Sequence, residues 1–398
     1  MPAAFRVAAV IRSCWESYNR AFALAPHAVK AVRHILRCRT AALGGHLHQC
    51  DQCGSEVPVY NSCQPRHCPS CQTSAKEKWL DARLSEVLPV QYFHVVFTLP
   101  HLLNSLIDAN RPLLLGELFS VVNWVLQQFS QDPQWRLQGQ MGFLAILHTW
   151  TQRLRLHFHL HCIVPGGVWR ESEQKWIPCR GKWLFRVESL EDAFRNRFLD
   201  RLRALRQQGK LSYGGRAAPL ATGPVWEALL AQLELQTWIV YSKPTPDDPS
   251  QALEYAARYT HKVAISDHRI KDLKAPSANS GKAAFVTYSW RDRSDDNVEK
   301  LETIPAALFT RRFLAHILPD GFHKIRYFGW MAAANRKVIL AAIRAALHVE
   351  PPAVQPKETL AERVLRKTGV DLTLCPHCGK GHLRKTDRQL LPHRGQSP

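Results

Sequence analysis

Three histidines alternate with apolar residues in RLHFHLHCIVPGG, residues 155–167. His157, His159 and His161 occupy every second position, a period of two that is typical of a β-strand with one buried face. Residues two apart on one strand face lie ~6.5 to 7 Å from each other, so neighbouring imidazoles can share one metal ion. The alternative interpretation is a solvent-facing strand that is merely rich in histidine. The pattern therefore predicts a histidine-faced strand with a candidate metal site.

Two tyrosines stand four residues apart in LEYAARYTHK, a segment of helix-forming residues. Tyr255 and Tyr259 would share one helix face, because residues i and i+4 lie one turn apart. A phenol, with an ordinary pKa of ~10, attacks poorly at neutral pH, but a divalent cation can polarise a scissile phosphodiester and neutralise its charge. Attack would yield a phosphotyrosine and a free 3′-hydroxyl. The alternative is a pair of tyrosines packed on a sheet.

The charge of the chain favours a polyanionic partner. The 398 residues include 53 Lys and Arg against 33 Asp and Glu, a net charge of +20, and such an excess commonly accompanies nucleic-acid binding. Arg258 and Lys262 flank the tyrosines as candidate DNA contacts, although a solvated basic helix face is the alternative. There is no long apolar run and no signal-peptide core, so we expect a cytoplasmic protein without membrane contact.

Cysteines near the start of the chain have the spacing of zinc ligands. Eleven cysteines in a reducing compartment favour metal ligation over disulfides. The pairs Cys50-x2-Cys53 and Cys68-x2-Cys71 match a four-thiolate zinc site, so we expect one structural Zn²⁺ held by all four. The surplus residues could form a second zinc site or be ordinary core and surface residues; they are Cys38, Cys63, His46, His48 and His67, and the candidate ligands among them are Cys38, Cys63, His48 and His67.

A further cysteine pair lies near the end of the chain. Cys375-x2-Cys378 supplies only half of a tetrahedral site. Completion of this possible C-terminal zinc site would need His377 or His382, another part of the chain, or a second molecule. Three other cysteines have the character of buried or incidental thiols; they are Cys14, Cys162 and Cys179.

Strands and helices are interspersed along the chain, so we expect an α+β fold with an antiparallel sheet. A helix is predicted from Ser74 in SAKEKWLDARLSEVLP, and further helix over residues 101–131 and in PAALFTRRFLAHILP. The segments predicted as strands, besides the histidine strand, are PVQYFHVVFTLP, GFLAILHTW, TWIVYSK and AFVTYSWRD. Pro-rich EPPAVQPK at 350–357 is a predicted linker. The expected domains are 1–88 (helical and zinc-binding), 89–349 (catalytic) and 350–398 (a basic tail with the CxxC pair).

An ordered set of motifs resembles a known family. His159-Leu160-His161 is the His-hydrophobic-His motif of the HUH endonucleases, and most of the chain is similar to the rolling-circle transposases of the insertion sequence ninety-one type. The motifs that carry this resemblance are RHCPSC, VVFTLPH, HTW, HFHLHCIVPGG, YAARYTHKVAIS, VTYSWRD, RRFLAHILPDGFHKIRYFG and CPHCG.

The resemblance implies a fold, an activity and roles for residues. It implies an HUH-type central antiparallel sheet flanked by helices, with the histidine strand at its centre, and cleavage of single-stranded DNA through a 5′-phosphotyrosine. His159 and His161 would bind Mg²⁺ or Mn²⁺, with His157 the first candidate for a third ligand, and Tyr255 and Tyr259 would be the nucleophiles. The partners would be single-stranded element ends and target DNA.

Three other functions fit parts of the pattern. A replication initiator or relaxase would use the same nicking chemistry, but the zinc-rich start and the late motifs argue against it. A zinc-dependent nucleic-acid-binding protein without catalysis would bind DNA without its tyrosines. A zinc hydrolase would use the three histidines and would not need the tyrosines either.

Overall fold

The computed structural model describes residues 5–181, 183–245, 251, 253–254, 257, 260, 264–274, 283–292, 294–332, 334, 336–350 and 358–392. Four residues named above as candidate nucleophiles or DNA contacts lie outside the described residues; they are Tyr255, Arg258, Tyr259 and Lys262. The chain forms two compact units. The terminal unit comprises 1–77, 261–318 and 353–398, and the central unit comprises 78–260 and 319–352.

The described helices, in chain order, are α1 (Val7–Arg12), α2 (Trp15–Ala21), α3 (Pro26–Arg37), α4 (Thr73–Leu84), α5 (Asn104–Ala109), α6 (Arg111–Gln131), α7 (Val187–Gln207), α8 (Gly223–Leu235), α9 (Ala306–Leu314), α10 (Arg336–Ala346) and α11 (Leu360–Thr368). The described strands are β1 (Gly45–Cys50), β2 (Glu56–Tyr60), β3 (Tyr92–Thr98), β4 (Phe143–Trp150), β5 (Leu156–Pro165), β6 (Gly167–Arg170), β7 (Lys175–Pro178), β8 (Val240–Pro244), β9 (Ile270–Lys274), β10 (Phe285–Asp292), β11 (Val298–Pro305), β12 (Ile325–Phe328) and β13 (Leu383–Leu390).

The central unit is built on a five-stranded sheet in the order β12-β4-β5-β3-β8. Every neighbouring pair in it is antiparallel. The histidine strand β5 is the middle strand, so the α+β class and the central position of the histidines are both confirmed. The strand ends at Pro165, and β6 starts at Gly167, because Pro removes a ladder donor and Gly favours a turn.

One face of this sheet is apolar over its central strands and is covered by helices. Phe158 and Leu160 of β5 are fully buried, and Cys162, paired opposite Ala145 of β4, faces the same side. Phe194 of α7 packs on Phe97 of β3 with ring centroids 5.2 Å apart. Each buried Phe or Leu contributes ~1.5 to 3 kcal/mol relative to an exposed one, so this face anchors the strand that presents the histidines.

The terminal unit contains two three-stranded sheets, β13-β1-β2 and β11-β10-β9. In the second, Tyr288 of β10 packs on Phe309 of α9, with ring centroids 5.7 Å apart. In the first, β1 is the middle strand and pairs antiparallel with both neighbours. The first sheet therefore joins the chain's early strands to β13, which lies more than 300 residues later.

Candidate functional site

The histidine face of the central sheet brings three imidazoles together. His148 of β4 lies directly opposite His159 of β5, and the Nε2 atoms of His159 and His161 are 3.1 Å apart. One ring nitrogen from each of the three lies within 4.8 Å of the others. The side chains are only 3%, 9% and 8% exposed. Two adjacent strands thus present a nearly dehydrated set of nitrogen donors.

The separation of the nitrogens fits a shared metal ion. Two nitrogens ~2.1 Å from one ion are ~3.0 Å apart at a right angle and ~3.4 Å apart at the tetrahedral angle. The 3.1 Å between His159 and His161 lies in that interval. The donor set therefore suits a divalent ion with several coordination positions left for oxygen ligands.

His157 has a different partner from the one expected. Its Nδ1 atom lies 2.9 Å from the Nε2 atom of His101, and the cluster that includes His159 and His161 is completed by His148 instead. The reason is the pairing of the strands, since residues directly opposite on neighbouring strands approach more closely than residues two apart on one strand. Sequence reasoning missed His148, although it stands in the HTW motif on a predicted strand.

A fourth histidine orients the cluster from β3. The Nε2 atom of His94 lies 2.7 Å from the Nδ1 atom of His161, and the two rings are stacked at 5.0 Å. Burial lowers the pKa of His94 to about 4, so this imidazole is neutral at neutral pH. For His161 to offer its Nε2 lone pair to a metal, its Nδ1–H must donate to His94. Sequence reasoning missed His94 as well.

Two described residues close in sequence to the tyrosines are anchored on this same face. Leu253 and Ala257 are buried in one cluster with Leu144, Ile146 and Ile163. Because Ile146 pairs with His161, and side chains alternate along a strand, the apolar patch and the histidines share a face. The patch therefore continues directly from the candidate metal site.

The cysteines form two clusters in the terminal unit, and these differ from the expected grouping. Cys38, Cys63, Cys68 and Cys71 form one, and Cys50, Cys53, Cys375 and Cys378 form the other. The four cysteines expected to share one zinc are thus divided between two sites. The physical reason is β13, whose pairing with β1 carries the late pair to Cys50. Among the described residues, no metal-binding group includes His48 or His67.

The first cluster, which we call the Cys38 cluster, joins the end of α3 to the start of α4. The Sγ atoms of Cys63 and Cys71 are 3.7 Å apart, and four thiolates ~2.3 Å from a tetrahedral Zn²⁺ have edges of ~3.8 Å. The Nε2 atom of Gln72 donates to the carbonyls of Gln64 and Pro65 at 3.0 and 2.7 Å. These bonds fix the loop that carries three of the thiols, so the residues fit a structural zinc.

Two family models match the chain. One, described as a putative transposase, matches residues 142–338 and so includes the histidine cluster. The other, the transposase zinc-binding domain of the insertion sequence ninety-one type, matches residues 10–99 and so includes the whole Cys38 cluster. A putative transposase of Sinorhizobium fredii is 38% identical over 95% of this chain and 94% of its own length.

The chain is a transposase of the insertion sequence ninety-one type. It is also 27% identical to the transposase for insertion sequence element IS801 of Pseudomonas savastanoi pv. phaseolicola, over 92% of this chain and 85% of that one. No solved structure matches it significantly. As a transposase it acts on DNA, and its residues 10–99 form a transposase zinc-binding domain. Among the described residues of the transposase, no helix is both long and apolar enough to cross a membrane.

Proposed function

We propose that this transposase cleaves single-stranded DNA at the ends of its element by attack of a tyrosine, in a reaction that needs a divalent cation. The observation that carries the proposal is the cluster of His148, His159 and His161, whose nitrogens lie within 4.8 Å of one another on one sheet face. The three histidines would hold Mg²⁺ or Mn²⁺. A divalent ion there supplies positive charge for the non-bridging oxygens of a phosphate.

Tyr255 and Tyr259 are the proposed nucleophiles, on the strength of their sequence motif. The phenol loses its proton to water, and its oxygen forms a bond to phosphorus while the bond from phosphorus to the 3′ oxygen breaks. The 3′ oxygen takes up a proton, so the products are a 5′-phosphotyrosine and a 3′-hydroxyl. Because one ester replaces another, a later attack by a 3′-hydroxyl rejoins DNA without ATP. Two tyrosines would permit two successive strand transfers during rolling-circle transposition.

The apolar contacts of the tyrosine segment support this assignment. Leu253 and Ala257 flank the tyrosine positions and pack on Ile146 and Ile163. Both side chains lie on the histidine face of the sheet. Ile146 is directly opposite His161, and Ile163 is two residues further along β5. A nucleophile and the scissile phosphate must be held a few ångströms apart for attack, and these contacts would keep the segment that carries the proposed nucleophiles beside the histidine face.

A half-exposed tyrosine on the edge strand β8 is a proposed contact for the DNA. Tyr241 pairs with Val96 on the histidine face, is 40% exposed, and lies 5.9 Å from the His94 ring. The Nζ atom of Lys243 is 5.5 Å from its ring centroid. An aromatic ring beside a cation is the usual combination for stacking an unpaired base and holding its phosphate. Arg258 and Lys262 stay proposed phosphate contacts from sequence alone.

The net charge of +20 suits a nucleic-acid partner. The proposed place of action is the bacterial cytoplasm, with association with the nucleoid when the protein is bound to DNA.

The proposal is tested by incubating the protein with labelled single strands from an element end, with Mn²⁺ or with EDTA. We expect cleavage of the single strand in Mn²⁺ only, little cleavage of the duplex, and none for His159→Ala with His161→Ala. His101→Leu, which removes a histidine outside the cluster, is the matched control. Equal cleavage by the double variant would overturn the proposal.

A further inference from the structure

The second cysteine cluster, which we call the split cluster, is made from both ends of the chain. It comprises Cys50 and Cys53 after β1 and Cys375 and Cys378 before β13. The zinc-binding domain match ends at residue 99, so it includes the first pair and not the second. The Sγ atoms of Cys50 and Cys378 are 3.8 Å apart, as are those of Cys53 and Cys375. Four thiolates on one tetrahedral Zn²⁺ have edges of ~3.8 Å.

The two halves of the split cluster have the same local backbone. In each CxxCG sequence the glycine N–H donates to the carbonyl of the first cysteine, at 3.1 Å for Gly54 and 2.9 Å for Gly379. Both glycines have positive φ, 70° and 64°, a conformation that costs glycine little. The matching turns aim both pairs of thiols toward one point.

Backbone N–H groups are directed at the sulfur atoms. The amides of Gln52 and Cys53 donate to Cys50 Sγ, both at 3.5 Å, and Gly381 donates to Cys378 Sγ at 3.3 Å. Such donors stabilise thiolates, the form of cysteine that binds metal.

Close packing around the sulfurs makes one glycine necessary. A Cβ atom on Gly381 would lie 2.5 Å from Cys50 Sγ and 2.8 Å from the Cβ of Gln52. Across the same contact, the His382 amide donates to Asp51 Oδ1 at 2.7 Å, and the Asp51 amide donates to the His382 carbonyl at 3.1 Å. The two halves are thus fitted to each other in detail.

Strand β13 continues this contact along the length of β1. Cys50 pairs with Leu383, and Gly45 pairs with Leu390 at the other end. The hydroxyl of Thr386 donates to the Leu47 carbonyl at 2.9 Å. The exposed strand β13 buries little apolar surface, with none of its residues fully buried, so hydrogen bonds alone hold it weakly.

We infer that the split cluster binds a second structural Zn²⁺ that fastens the C-terminal segment, residues 358–392, onto the N-terminal module. The first zinc, in the Cys38 cluster, stabilises the module itself. The second closes the sheet β13-β1-β2, and its loss frees β13 while leaving β1 and β2 paired. Metal binding at such a site adds directly to the stability of the contact it closes.

Zinc content and thiol reactivity test this inference. Elemental analysis of the purified wild type should give two zinc ions per chain. Cys375→Ser with Cys378→Ser should give one, and Cys179→Ser, a change outside both clusters, should leave two. One zinc in the wild type, retained by the double variant, would overturn the inference.

Alkylation of the wild type keeps the inference testable if the double variant misfolds. Cys53 is exposed and Cys378 is half-buried, so as free thiols both should react with iodoacetamide. With zinc bound, we expect both to be protected and mass spectrometry to show their modification after chelation. When the zinc is removed, amide hydrogen exchange in β13 (383–390) should rise more than exchange in β2 (56–60). Equal alkylation with and without zinc would contradict the inference.

Discussion

The Nδ1 atom of His161 lies 2.7 Å from the Nε2 atom of His94, and its Nε2 atom lies 3.1 Å from that of His159. One ring nitrogen is thus held by the partly buried His94, while the other faces the cluster. His94 stays neutral because burial lowers its pKa to about 4. Its role in the proposed reaction is to position a metal ligand, without itself touching the substrate.

Replacing His94 should therefore weaken metal binding. We expect His94→Leu to lower the affinity for Mn²⁺ by ~10- to 100-fold, the usual effect of losing the partner of a ligating histidine. His94→Gln should recover part of the loss, since its amide oxygen can accept from His161. Titration of the free Mn²⁺ signal by electron paramagnetic resonance measures both. Unchanged affinity in the Leu variant would show that the contact has no part in metal binding.

The identity of the third ligand is decided by a pair of alanine variants. His148→Ala removes a member of the cluster and should lower Mn²⁺ affinity by at least ~10-fold, whereas His157→Ala should change it by less than ~2-fold, because ligands contribute far more than their neighbours. Isothermal titration with the zinc sites already filled compares the two. The reverse order of effects would restore His157 as the ligand.

The sequence predicts the histidine strand but not the register of the strands beside it. A period of two in 156–164 identifies β5 and its histidine face, because the alternation is a local property of one strand. The contacts of His148 and His94 depend on the register of β4 and β3 against β5, which is set by the whole sheet. The fold class and central strand were therefore predictable, and the third member of the cluster was not.

The grouping of the cysteines into sites is likewise only partly predictable from the sequence. Spacing shows that Cys50 and Cys53 belong together, since two intervening residues form one tight turn. It does not show which second pair joins them, because pairings over long separations cannot be deduced from sequence. Cys68 and Cys71 are the nearest other CxxC pair along the chain, but the pairing of β13 with β1 brings Cys375 and Cys378 to Cys50 and Cys53 instead.

The packing of the tyrosine segment can be disturbed without touching a proposed catalytic group. Ala257 is fully buried, and Ala257→Leu adds volume that a packed core accommodates only at a cost of ~1 to 3 kcal/mol. We expect DNA cleavage to fall by at least ~10-fold, since displacement from reacting geometry is costly, while Mn²⁺ affinity stays the same. Ala345→Leu, at an exposed site of α10, is the control. Wild-type cleavage by Ala257→Leu would argue against positioning by this contact.

Tyr241 should contribute to binding of single strands. Loss of one stacked base costs ~1 to 3 kcal/mol, so Tyr241→Ala should weaken binding of a single-stranded oligonucleotide by ~5- to 150-fold. Tyr241→Phe keeps the ring and should bind nearly as the wild type does. Fluorescence anisotropy at fixed salt gives the three affinities. If the Ala and Phe variants lose affinity equally, stacking is not the interaction.

The most direct test of the proposed chemistry is the covalent intermediate. Wild-type protein, Tyr255→Phe, Tyr259→Phe and the double variant are incubated with 5′- or 3′-labelled single strands in Mn²⁺, then separated by denaturing electrophoresis. We predict an adduct that resists SDS, carries the label downstream of the cut, and disappears in the double variant, with mass spectrometry locating the DNA on Tyr255 or Tyr259. Metal-dependent cleavage that leaves no adduct, or an adduct that persists in the double variant, would contradict attack by these tyrosines.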